Sequence, residues 1–292
     1  MSAPAQSLDL GPIDSEILVF GGPYSNLEAT EAVLAAAAGH GIPAGRVICT
    51  GDVVAYCADA ELTAQRIREA GIHVVMGNCE ESFGSAAGDC GCGFEEDSAC
   101  DVLSRQWYAY ADATLSAVSR QWMAATPREI RFRLQGRSFT AIHGGAREIS
   151  RFIFASTPEA VLREEMASLN TDAVIGGHCG LPFTRAIGAG LWHNAGVVGM
   201  PANDGTPRAW YALLTPGADG IRVSHHALAY DHGAAAAKMR ARGLPEGYAQ
   251  ALLTGLWPNT DILPEAETAA SGAALAPSAH LWRHTESLAA AT

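Results

Sequence analysis

Four short apolar runs in this chain end in a glycine beside a side chain able to hold a metal or a polar ligand. They are RVICT at 46–50 before Gly51-Asp52, HVVM at 73–76 before Gly77-Asn78, the run closing at Ile142 before His143-Gly144, and AVIG at 173–176 before Gly177-His178. Short apolar runs rich in β-branched residues suit strands buried on both faces, as in a sheet with helices packed against it. In such sheets ligands bind beyond the C-terminal strand ends, so Asp52, Asn78, His143 and His178 are expected to converge although they lie far apart in sequence. One Asp or His at a strand end is ordinarily a cap or a satisfied polar residue. Four at successive strand ends make a mixed nitrogen and oxygen donor set suited to one transition metal ion, zinc, manganese or iron, divalent or trivalent.

The rest of the chain supplies a frame for these ends. EILVF at 16–20 is a further strand, and helix-like segments at 26–39 and 59–70 make the opening third read β-α-β-α-β. REIRFRL at 128–134 and RSFTAI at 137–142 read as a hairpin turning at Gln135-Gly136. Runs at 182–187, 190–193, 207–214 and 221–227 read as a second, mostly antiparallel set. The expected architecture is α/β, two sheets face to face with helices outside. Residues 101–124 read as one amphipathic helix burying Trp107, Tyr108, Tyr110 and Trp122, and residues 230–256 as helical with a break at GLPEG. The expected organisation is an N-terminal arm at 1–14, a domain at 15–228, a helical extension at 229–265 and an Ala-rich flexible tail at 266–292.

With 48% hydrophobic residues over 292 positions the chain can bury a large core. A formal charge of −12 argues against nucleic acid or an anionic membrane surface as the main partner and favours a small molecule and metal cations. No apolar run approaches the roughly 18–20 residues of a membrane span, and MSAPAQSLDLGP lacks a basic stretch followed by an apolar one. A cytoplasmic location is therefore expected. Nothing in the sequence sets the oligomeric state.

GDVV, GN with two residues after it, HGG and GGH, in that order and beside those strands, resemble the calcineurin-like metallophosphoesterase superfamily, in particular its small bacterial phosphodiesterase-like branch. The resemblance covers about 15–215 and includes NAGVVGMP at 194–201, which is similar to a family NPGSVG stretch. It implies a four-layer α/β/β/α sandwich holding two metal ions bridged by an Asp and a hydroxide, which attacks a phosphoester. Carried over by position, Asp52 matches the bridging aspartate, and Asn78, His143 and His178 match the other ligands of one metal. The second metal's Asp-x-His aligns with Gly22-Pro23-Tyr24 and its further histidine with Gly180, so of that ligand set Asp52 remains. The family's GNHD reads Gly77-Asn78-Cys79-Glu80, a cysteine replacing a histidine that contacts phosphate. Tyr24 is then either a phenolate ligand to a ferric ion or a hydrogen-bonding and packing residue. YDHGAAAAKMRARGLPEGYAQALLTGLWP resembles the helical extension of some bacterial members, where it shapes a pocket.

Cys79, Cys90, Cys92 and Cys100 fall in one glycine-rich acidic segment. The readings are reduced or disulfide-paired cysteines ordering a loop, a second metal or iron–sulfur centre at these thiols, or a reactive thiol at Cys79 beside a cation. Cys49, Cys57 and Cys179 read as small buried residues. His225, His226 and His232, with Asp231, form a second polar cluster that reads as surface or capping residues. The functional expectation is a metal-dependent enzyme with Cys79, Tyr24 and His143 as candidate catalytic groups. Phosphoester hydrolysis is the default reaction, iron-dependent redox chemistry a repurposed version of it, and a non-catalytic ligand- or partner-binding homologue the alternative.

Overall fold

Alternation along the strands builds the four layers. In a computed structural model that describes residues 7–93 and 98–283, with the side chains of 99–101 outside that description, the elements run in this order. The first half contains β1 (Ser7–Ile13), β2 (Ile17–Phe20), α1 (Leu27–Gly39), β3 (Val47–Cys49), α2 (Ala60–Ala70), β4 (His73–Val74), α3 (Asn78–Ser85), α4 (Ala99–Thr114), α5 (Ala117–Ala124), β5 (Glu129–Leu134) and β6 (Arg137–Ala141). Then come α6 (Glu159–Leu169), β7 (Ala173–Gly176), β8 (Phe183–Ile187), β9 (Gly190–Asn194), β10 (Ala209–Gly217), β11 (Gly220–Leu228), α7 (His232–Ala241), α8 (Glu246–Thr254), α9 (Glu265–Ala269) and β12 (Ser278–Arg283).

One sheet has the order β1-β5-β6-β7-β9-β8 and the other β12-β11-β10-β2-β3-β4. Ile17 and Val19 of β2 point at the opposite sheet, where they meet Phe132, Phe139 and Ile175, while Leu18 and Phe20 point at the helices around Val33 and Ile67. On the far side Val174 and Trp192 face Leu162 and Met166 of α6. Period-2 side chains thus divide between an inter-sheet core and two outer ones, giving helix, sheet, sheet, helix. No helix among the described residues is long and apolar enough to cross a membrane.

Three local readings need correction. Residues 101–124 are two helices, because Ser116 caps α5 by accepting from Ser119 N–H, and Glu61 accepts from Ser116 N–H and both hydroxyls. Residues 7–13, expected in an arm, form β1 and pair in parallel with β5. Within the expected flexible tail, 278–283 pair with β11, while 284–292 lie outside the described residues. The hairpin turn stands at Gln135-Gly136, both left-handed (φ 50° and 78°) as a type I′ turn requires.

Candidate metal centre

The loops after β3, β4, β6 and β7 carry Asp52, Asn78, His143 and His178 to one buried point. Asp52 takes a left-handed backbone (φ 57°), which costs about 1 kcal/mol or more in a non-glycine residue and must be imposed from outside. Glu80 imposes it: its buried carboxylate accepts from the N–H groups of Asp52 (2.7 Å), Val53 (2.8 Å) and Gly77 (2.8 Å). Gly77 has to be glycine, since a Cβ there would lie 2.4 Å from Asp52 Oδ1. Cys79 N–H donates to that same Oδ1 (3.1 Å), which leaves Oδ2 for the site. Burial, and then the Asp52 carboxylate, raise the Glu80 carboxyl to about 7.

The ring atoms are oriented by partners outside the site. His143 Nδ1 donates to the Thr50 carbonyl (2.6 Å), so in the neutral ring Nε2 carries a lone pair. Asn78 Nδ2 donates to the Cys90 carbonyl (2.8 Å), which turns Oδ1 inward. His143 Nε2 then faces Asn78 Oδ1 at 3.0 Å, His178 Nδ1 at 2.9 Å and Asp52 Oδ2 at 3.2 Å. Ligand atoms of Asp52, His143 and His178 all lie within 4.8 Å of one another. Lone pairs meeting at one buried point require a positive charge among them, a proton or a metal ion. The charge field agrees: burial disfavours an ionised Asp52, but His143 outweighs it and holds the carboxyl below its ordinary value. Burial opposes a charged His143, but Asp52 raises its pKa, whereas burial and then His143 push His178 down to about 3. His178 Nε2 is buried without a hydrogen-bond partner. These donors fit a transition metal ion.

On the other side of Asp52 the surroundings become apolar. Gly22 has φ 33°, and a Cβ on it would lie 2.5 Å from Tyr24 Cζ, so the Tyr24 ring occupies the space that a side chain at 22 needs. Gly180 looks toward Val197 and the Trp257 indole, 3.7 and 3.8 Å from a Cβ position. Burial and the Asp52 carboxylate push the Tyr24 phenol far up, so it is a neutral group. A cavity lined by Tyr24, Asp52, His178 and Trp257 opens here.

Of the three cysteine readings the structure agrees with disulfide pairing and corrects the metal or iron–sulfur one. Cys90 and Cys92 are joined by a disulfide, so neither offers a thiolate to a metal or an iron–sulfur cluster. Cys79 is free and buried, its thiol pushed up by burial, Asp52 and Glu80. The Cys100 side chain lies outside the described residues. Cys49, Cys57 and Cys179 are buried and free. The later histidines do not assemble: the His225 ring donates to Asn194 O, the neighbouring His226 faces the other side of β11 and stacks on Tyr211, and Asp231 caps α7. Sequence reasoning missed Glu80, which stands three residues after Gly77, the spacing of a helix-start carboxylate, and missed Thr50 and the aromatic wall.

Residues 17–218 match the family model for the calcineurin-like phosphoesterase superfamily domain. Among solved structures the chain is similar to a metallophosphoesterase from Sphaerobacter thermophilus, with 24% identity, TM-score 0.63, and 84% of this chain and 100% of that one covered. It is also similar to a hypothetical protein from Pyrococcus horikoshii, with 16% identity, TM-score 0.70 and coverages of 83% and 99%. No curated protein matches it.

Proposed function

The chain belongs to the calcineurin-like phosphoesterase superfamily, and from that premise we propose that it hydrolyses a small-molecule phosphoester at one metal ion held by Asp52, Asn78, His143 and His178. The observation that carries this reading is the convergence of Asp52 Oδ2, Asn78 Oδ1 and His178 Nδ1 on His143 Nε2 at 2.9–3.2 Å. A bound transition metal ion supplies Lewis-acid charge at phosphate oxygens and acidifies bound water. The chain's own residues hold this arrangement. Glu80 fixes the strained Asp52 backbone, Thr50 sets the His143 tautomer, and the Cys90 carbonyl orients Asn78. Cys79 acts through its N–H on Asp52 and so positions the carboxylate. His178 Nε2 and the Tyr24 phenol border the cavity as groups for substrate oxygens, with Tyr24 in the hydrogen-bonding role. In the reaction a water oxygen bonds to phosphorus, the bond to the leaving oxygen breaks, and that oxygen takes up a proton.

Elemental analysis of purified protein is expected to show about one equivalent of manganese, zinc or iron per chain, in keeping with a mononuclear donor set. Turnover of ethyl 4-nitrophenyl phosphate with Mn²⁺ is expected to fall about 100-fold or more in Asp52→Ala. Equal rates in the two proteins would overturn hydrolysis and favour the second reading, a ligand-binding homologue without turnover. That reading is favoured by the Tyr24 ring, which stands where a side chain at Gly22 would lie. Iron with a redox-dependent colour would instead support the repurposed chemistry.

A further inference from the structure

The cavity beside Asp52 and His178 measures about 80 Å³. Its wall includes Tyr56, Met200, Tyr248, Trp257 and Ile262, and the tyrosine rings form a row, Tyr24 to Tyr56 and Tyr56 to Tyr248 each at 4.8 Å between centroids. Trp257 is fixed from behind: its Nε1 donates to the Pro201 carbonyl (2.7 Å) and its backbone N–H to Asn203 Oδ1 (2.8 Å). The wall is therefore preformed, as in specific small-molecule sites.

Among the described lining residues none is Lys or Arg, and the polar side chains beyond the metal donors and the tyrosines are few. A second phosphate or a carboxylate entering here would lose its hydration with no cation to replace it. Arg128, Arg131 and Arg147 line a separate cleft that reaches His143, two of them paired with Glu81 and Glu129, and Arg151, next to Phe152, is paired with Glu165. The size sets a second limit. A cavity that admits benzene is about 150 Å³, so roughly half that volume suits a group of about two to four carbons.

We propose that this cavity is a subsite for a short alkyl group, so that the substrate is a short-chain alkyl phosphoester without a second negative charge. The assignment of the phosphoryl group to the metal side rests on the hydrolase reading above; the alkyl subsite rests on the cavity. Isothermal titration of the full-length, Mn²⁺-loaded protein with inorganic phosphate and with methyl-, ethyl-, propyl- and phenylphosphonate separates the two. Affinity is expected to rise about fourfold per methylene up to propyl, the fold-change of burying one CH₂, then to fall for phenylphosphonate and for AMP. Trp257→Ala, which enlarges the cavity, is expected to move the optimum to phenylphosphonate, a gain that a misfolded variant does not give. A flat series with phosphate bound, or AMP binding more tightly than propylphosphonate, overturns the subsite alone. A rising series without hydrolysis of the matching alkyl esters supports the subsite and overturns hydrolysis, and no binding by any member overturns both.

Discussion

A methyl group at Gly22 would run into the ring of Tyr24, and the left-handed φ of 33° adds backbone strain. Gly22→Ala is therefore expected to cost about 1–3 kcal/mol in urea unfolding. In a Tyr24→Ala background the collision partner is gone, so the same change should cost less; additive costs in the double-mutant cycle would show that ring and glycine are not coupled. A second residue-level expectation concerns His193, buried with Nδ1 on Thr184 Oγ1 and Nε2 unpartnered. Burial, and then His225, hold its pKa far below the ordinary value, so the folded state keeps it neutral. The unfolded chain takes up a proton near pH 6.5, so this stability is complete above that pH and is lost on acidification. Between pH 7.5 and 5.5 wild type should lose about 1.4 kcal/mol more than His193→Gln in urea unfolding; equal losses would clear His193. The four candidate donors were legible because glycine-flanked polar residues follow apolar runs. The fit of Tyr24 over Gly22 was not, because it depends on a ring folding back across a turn, and neither was the choice between thiols and a Cys90–Cys92 disulfide.

Elements in the interior were readable from their apolar runs, and those at the edges were not. β1, SLDLGPI, carries Gly and Pro and pairs along one side, so no buried pattern marks it. β12 exposes most of its residues, yet its Trp282 is buried between the sheets. The indole meets Phe139 at 5.6 Å, donates from Nε1 to the Ala189 carbonyl (3.0 Å), and lies under the Arg137 guanidinium at 4.0 Å. Phe139 and Ala189 belong to the opposite sheet's strands and turns, so one residue of the last strand ties both sheets at that edge. Trp282→Ala is expected to cost about 3 kcal/mol in guanidinium unfolding, the scale of an aromatic truncation in a core. A cost below about 0.5 kcal/mol would mean that the segment is not docked in solution. The split between α4 and α5 was hidden for a different reason: Ser116 reads as a helix start only once Glu61, far away in sequence, is known to accept from it.

At the scale of the molecule, the order of strand-end motifs made two facing sheets legible, while strand order was not, since β9 sits between β7 and β8 and β1 joins from the far end of the chain. The site straddles the two sheets. Asp52 and Asn78 follow β3 and β4 of one, His143 and His178 follow β6 and β7 of the other, and the Thr50 carbonyl of the first accepts from His143 of the second (2.6 Å). A metal ion held by these four residues would link the sheets in the folded state and have no such site in the unfolded chain, so binding must add to folding stability. With free Mn²⁺ at about 100 times its Kd, the unfolding free energy should rise by about 2.7 kcal/mol, and a chelator should reverse the gain. Asp52→Ala removes a donor from one sheet and should abolish the increment, whereas Trp282→Ala lowers baseline stability at the other end of the inter-sheet core and should leave the increment intact. An increment that survives in Asp52→Ala would place the metal elsewhere on the chain.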